Sequence, residues 1–147
     1  MGRIIKQFLI FTICIILIGC TQETTEEYPN LSSAMGPGAA GDRGWLPKFV
    51  PPSSINIKIT YIVETGETWL YFEADSNDLM RILQDYSSPN KQYPKLPRKG
   101  PASWWPELLT SASSKKKEGL IPFACDHRRA GVIDVAGKKA YYWDLGN

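Results

Sequence analysis

The chain has 147 residues, with 17 Lys plus Arg against 15 Asp plus Glu, a single histidine and three cysteines. That length gives room for one small domain. The near balance of charge excludes the strongly basic footprint of a nucleic-acid binder, and so few cysteines exclude a disulfide-dense scaffold.

The N-terminus carries an address. Arg3 and Lys6 are the only charges before Cys20, and from Phe8 to Ile18 every residue is apolar except Thr12. A basic start followed by an apolar stretch is the layout of a secretory signal. A membrane-spanning helix needs about 20 apolar residues, roughly twice this run. Leu17-Ile18-Gly19-Cys20 resembles the lipobox of bacterial lipoproteins. The resemblance implies a diacylglyceryl thioether on Cys20, cleavage between Gly19 and Cys20, and a signal peptide over 1–19. The thiol suits the attachment because its thiolate is a strong nucleophile. Two or more acyl chains make a stable anchor where one does not. Loss of Arg3 and Lys6 takes the basic count from 17 to 15, level with the 15 acidic residues. The expected location is the cell envelope, anchored in a membrane. Thr21 rather than Asp after the cysteine points to the outer membrane, facing the periplasm, in a two-membrane bacterium.

Residues 20–44 then read as the lipidated cysteine and a flexible tether, because a polar run followed by small residues buries little apolar surface. Within it, Gly36-Pro-Gly38-Ala-Ala-Gly41 satisfies G-x-G-x-x-G. The dinucleotide motif needs a strand before it and a helix starting inside it. Neither context is present, so no cofactor is expected.

A single domain is expected over 45–147. Ile55, Ile57, Ile59, Tyr61 and Val63 alternate with mostly polar residues, which predicts a half-buried strand. The loop at Thr65-Gly66-Glu67 and the aromatic run Thr68–Ala74 complete a β-hairpin, 55–63 with 68–74. Leu79, Ile82, Leu83 and Tyr86 recur at helical spacing and predict a helix near 77–86, with Asp75 or Ser76 as cap and Pro89 as stop. Residues 87–119 hold five prolines, at 89, 94, 97, 101 and 106, and the run Lys115-Lys-Lys117. They read as a long loop with one helical turn near Trp105–Leu109. Strands return at 120–128, 131–135 and 139–144. The expected fold is α+β: one small antiparallel sheet of four to five strands, ordered ββα-loop-ββ(β), with one helix packed on one face.

The most distinctive string is Gly44-Trp45-Leu46-Pro47-Lys48-Phe49-Val50-Pro51-Pro52-Ser53. It resembles the lead-in to the first hairpin in a family of small uncharacterised bacterial lipoproteins. In that family a mid-chain Trp-Pro pair and a C-terminal Tyr-Tyr-Trp strand follow, matched here by Trp105-Pro106 and Tyr141-Tyr142-Trp143. The resemblance implies no activity. On the residues alone, Trp45 and Phe49 lie over an open end of the core, or Trp45 meets a ligand. Trp104 and Trp105 form either an aromatic binding platform or a plug for the sheet face that the helix leaves bare, with Trp104 the more exposed of the two.

Cys125 and His127 share one face if 120–128 is a strand. A Cys–His nucleophile needs a third orienting group and zinc needs three or four ligands. The sequence shows neither set, and no G-x-S-x-G turn accompanies the lone histidine. No catalytic residue and no metal site are therefore assigned. The expected function is a lipid-anchored, non-catalytic protein-interaction module. Its partners are the membrane, through Cys20, and another envelope protein, met at Trp45 and Trp104 or at an open strand edge. The alternatives are a lipoprotein that binds a peptide or glycan, an inhibitor or immunity lipoprotein, and an enzyme using Cys125 and His127.

Overall fold

The structure is a computed structural model and describes residues 22–86, 95–101, 104–111 and 118–147. The signal at 1–19, Cys20, Pro89, Pro94 and Lys115–Lys117 lie outside the described residues.

Six strands form one antiparallel sheet: β1 (Glu23–Asn30), β2 (Ile55–Ile62), β3 (Glu67–Glu73), β4 (Ile121–Ala124), β5 (Arg129–Asp134) and β6 (Lys139–Leu145). Their order across the sheet is β1-β2-β3-β6-β5-β4. A single turn, α1 (Leu31–Ala34), follows β1, and the longer helix α2 (Ser76–Tyr86) follows β3. The α+β architecture matches expectation, with six strands in place of four to five.

The added strand comes from the stretch expected to be a tether. β1 pairs with β2 in register from Glu23 opposite Ile62 to Asn30 opposite Ile55. Its inward-facing residues are Thr24, Glu26 and Tyr28, each half-buried. Apart from the Tyr28 ring, which packs on the core, what they bury is polar, so a count of apolar surface misses the strand. The Glu26 carboxylate accepts hydrogen bonds from Arg43 Nη2, from the Tyr28 hydroxyl and, at 3.2 Å, from the Tyr61 hydroxyl. On the opposite face of the same strand, Lys58 pairs with Glu27 at 2.9 Å, and the Thr25 and Thr60 hydroxyls lie 2.7 Å apart.

The small residues after β1 are also part of the fold. Ala34 and Ala40 are fully buried. Gly41 donates to the Ala34 carbonyl at 2.8 Å, and a Cβ there would sit 2.7 Å from that same oxygen. The glycine spacing thus serves a tight crossing of backbone over backbone.

The hairpin expected at 55–63 and 68–74 is β2–β3. Asn56 takes a φ of 51° at a break in register between Ile55 and Lys58. This bulge swings Ile55 out to solvent, 48% exposed, although the alternation placed it with the core. Helix α2 starts at Ser76, with the Leu79 amide bonded to the Asp75 carbonyl at 3.0 Å. The Ser53 hydroxyl bridges that turn, donating to Asp78 at 2.6 Å and accepting from the Asp75 amide at 3.2 Å.

Both faces of the sheet are covered. Ile57, Ile59, Leu70, Phe72, Phe123, Ile133 and Tyr142 meet Leu79, Ile82 and Leu83 of α2, with Trp45, Leu46 and Phe49 at the margin. On the other face Ile62, Trp69, Val132 and Trp143 meet Trp105 and Leu109. The second cover has almost no regular structure: a 3-10 turn, Glu107–Leu109, is its one element among the described residues. It is held by side chains and a few backbone bonds. Trp143 Nε1 donates to the Lys95 carbonyl at 2.8 Å, and the Ser111 amide to the Pro97 carbonyl at 2.8 Å. Trp105 lies over Gly100, where a Cβ would come 2.1 Å from its ring.

Candidate functional site

The segment Gly44–Val50 turns back over the sheet and makes one wall of a groove. Gly44 has a φ of 81°, a conformation that costs a Cβ-bearing residue and suits glycine. The reversal lets the Trp45 amide donate to the Ala40 carbonyl at 2.8 Å. The Trp45 ring then stacks on Tyr61, centroids 4.5 Å apart and planes 14° from parallel, while the Arg43 guanidinium sits 5.4 Å from the Tyr61 ring centre. Phe49 stands edge-on to Tyr142 at 5.3 Å and to Phe123 at 5.5 Å, and tilts against Tyr86 at 5.5 Å. Offset and edge-to-face contacts of this kind fix ring positions beyond what apolar burial alone would do.

The groove is open and encloses about 860 Å³. Trp45, Phe49, Tyr86 and Tyr142 supply its aromatic surface, and Lys48, Arg129 and Asp144 its charged groups. Cys125 lies in its wall. A second depression of about 290 Å³ continues from it under α2, sharing Lys48, Phe49, Val50 and Tyr86.

Electrostatics at the groove are set by the β4–β5 loop. The Asp126 carboxylate accepts from the backbone amides of Arg128 and Arg129, each at 2.9 Å, and pairs with the Arg129 guanidinium at 2.7 Å. These bonds, that to the Arg128 amide foremost, hold the Asp126 carboxyl well below the usual carboxylate range. Burial pushes the Cys125 thiol up, which disfavours its thiolate. Burial also raises the Tyr142 hydroxyl. At the outer margin, burial alone would raise the Glu26 carboxyl, but hydrogen bonds from Tyr28 and Arg43 outweigh it and lower the carboxyl.

Cys125 and His127 do not share a strand face. β4 ends at Ala124, and 125–128 is a run of bends. Cys125 is half-buried against the helix-side core and His127 is exposed. No group of three His, Cys, Asp or Glu side chains able to hold a metal ion occurs among the described residues. The three tryptophans considered for binding also part company. Trp45 is on the helix side of the sheet, whereas Trp104 and Trp105 cover the other side. Trp104 is half-buried and donates through Nε1 to Thr60 at 3.1 Å. Trp105 is 8% exposed, donates to the Leu109 carbonyl at 3.2 Å, and stands edge-on to Trp143 and Tyr141.

Sequence reasoning reached Trp45 and Phe49 but not their partners. Tyr86, Cys125, Arg129, Tyr142 and Asp144 come from three separate parts of the chain. Only the strand order brings them together, and no local spacing announces it.

Residues 22–73 match the family model of the YbbD head domain. No curated protein and no solved structure matches the chain. The matched stretch runs from β1 to the end of β3 and includes the whole Gly44–Ser53 string. The part of the sheet from β1 to β3, with the segment that walls the groove, is therefore similar to the YbbD head domain.

Proposed function

We propose that this chain is a lipid-anchored protein of the bacterial cell envelope, that it acts by binding rather than by catalysis, and that the Trp45 groove receives a segment of a partner protein. The observation that carries the reading is the groove itself, an open aromatic trough with two cations and an anion at its margin. Aromatic anchors in a shaped trough, ringed by charged groups, are the usual make-up of a binding hot spot. The anchor is supported by the agreement of a basic start, a short apolar run and the Leu17–Cys20 lipobox.

Two measurements test this. Intact mass of the protein from membranes should show a diacylglyceryl group on an N-terminal Cys20; an unmodified residue there refutes the anchor. A photo-crosslinking residue at Lys48, in the groove wall, should capture one envelope protein in intact cells. The same residue at Arg98, on the far side of the sheet, should not. Trp45→Ala should abolish the capture, and capture insensitive to Trp45 refutes the groove as the contact.

A second reading, a peptide- or glycan-binding lipoprotein, draws on the stacked Trp45–Tyr61 pair. A shift of tryptophan emission with a small peptide or oligosaccharide, abolished in Trp45→Ala, together with no captured protein, would favour it.

A further inference from the structure

The start of β1 fixes how an anchored domain must sit. Only Thr21 and Gln22 separate Cys20 from Glu23. Fully extended, the link from Cys20 to Glu23 spans at most roughly 10 Å. The headgroup layer on each side of a bilayer is itself about 5–8 Å deep. A link that short can raise the start of the strand only a few ångströms, about 2–5 Å, above that layer.

The register then says which end of the sheet is held down. Glu23 lies opposite Ile62, Glu67 opposite Leu145, and Arg129 opposite Asp144. The same end therefore carries the β2–β3 loop, the β4–β5 loop and the last residues of β6. It is a braced surface. The Asn147 amide donates to the Thr65 carbonyl at 3.0 Å, the Leu145 amide to the Arg128 carbonyl at 3.2 Å, and Arg128 Nη1 to the Gly146 carbonyl at 2.7 Å. Val63 projects from it, 65% exposed, more than any other large apolar residue among the described residues. Charged side chains of both signs lie at this end: Arg128 and Arg129 with Glu64, Glu67 and Asp126.

We infer that the lipidated protein rests directly on the phospholipid surface on this end, with Val63 and the 125–129 loop at headgroup level. The inference rests on the lipid anchor proposed above. Mixed charge gives no preference for anionic lipid, so the short link sets the orientation, and zwitterionic vesicles suffice. Gly66, Cys125, Arg129 and Asp144 belong both to this end and to the groove. One mouth of the groove consequently opens along the membrane, not away from it. The opposite end, with the β5–β6 turn at Ala136, stands one strand length away, roughly 25 Å for eight residues.

The test uses full-length lipoprotein purified from membranes and reconstituted in phosphatidylcholine vesicles, in a Cys125→Ala background. An environment-sensitive dye is placed at Val63→Cys or at Ala136→Cys, both exposed positions. A headgroup-level nitroxide lipid should quench the dye at 63 and leave the dye at 136 at its lipid-free intensity. Inserting about ten Gly/Ser residues after Gln22, a coil of roughly 17 Å, should abolish the difference. Equal quenching at both sites, in protein whose mass shows lipidated Cys20 and which floats with the vesicles, overturns the inference and leaves the anchor standing. Protein that carries no lipid and does not float overturns both.

Discussion

Glu26→Gln is the sharpest probe of why a polar stretch forms β1. In the native chain this carboxylate is 26% exposed at the side chain and accepts from Arg43, Tyr28 and Tyr61. Hydrogen bonds to a charged acceptor contribute about 1.5–3 kcal/mol each when well buried, and ordinary ones about 0.5–1.5. Arg43 is 40% exposed, so its pairing is a solvent-screened surface one that adds little. Gln keeps one acceptor oxygen in place of two, so the loss comes from the tyrosine bonds, at about 1 kcal/mol each, and amounts to roughly 1–2 kcal/mol. The Glu26 carboxyl is lowered in the folded state. Its contribution is therefore fully present above the ordinary carboxylate range, about 4.3 for glutamate, and is lost as the pH falls through the lower folded value. Urea denaturation of the chain from Gln22 onward at pH 7 should show the loss in Glu26→Gln. A series to lower pH should show the wild type converging on the variant. Amide exchange should quicken first in β1. A variant within 0.5 kcal/mol of wild type at pH 7, or a difference that does not shrink with acid, would refute the account of β1 as a strand held by a half-buried carboxylate network.

Other consequences of the packing can be checked with the same denaturation assay. Trp105→Ala removes the centre of the irregular cover and should cost about 3–5 kcal/mol; a cost under 1 kcal/mol would mean that the 95–111 segment contributes little to the fold. Gly131→Ala places a Cβ 2.4 Å from both the Phe123 ring and the Tyr141 carbonyl oxygen. Because one of these neighbours is backbone of the adjoining strand, the cost should reach the upper part of the overpacking range, about 2–3 kcal/mol, and a neutral result would contradict the register of β4, β5 and β6. Burial raises the Cys125 thiol, so a disulfide reagent at neutral pH should modify it more slowly than a free thiol. Unfolding should restore the free rate, and equal rates folded and unfolded would show that the groove wall does not shelter the sulfur.

What the sequence disclosed followed the kind of signal each element carries. The β2–β3 hairpin and α2 were legible because Ile57, Ile59, Leu79, Ile82 and Leu83 repeat at the period of their element and all face one core. β1 was not, because Thr24, Glu26 and Tyr28 alternate correctly but the carboxylate at their centre, Glu26, is satisfied by hydrogen bonds from Arg43 and Tyr61, which are distant in sequence. The alternation of Thr, Glu and Tyr was the available clue, and a reading that weighs only hydrocarbon passes over it. The cover on the far face illustrates the opposite case. Trp105 could be suspected as a plug from its size, yet its bed on Gly100 and Trp143 depends on a loop path that no periodicity encodes. The groove had one readable wall, Gly44–Val50. Its other wall required the order of β3, β6 and β5, which local patterns leave open.

The position of β1 bears on how the protein would answer tension. Gln22 leads into the strand along its axis, and β1 lies at the outer margin of the sheet, paired only with β2 among the strands. A force between the start of β1 and a point at the opposite end of the sheet runs parallel to the strands. The ladder bonds lie across that direction, so they are sheared together instead of being opened one after another. Arg43 on Glu26 and Lys58 on Glu27 act as cross-pins on the two faces of the same strand. Tugging from the side would meet only one bond at a time. A protein drawn between a membrane and something above it would thus hold its shape along one direction and yield readily along another.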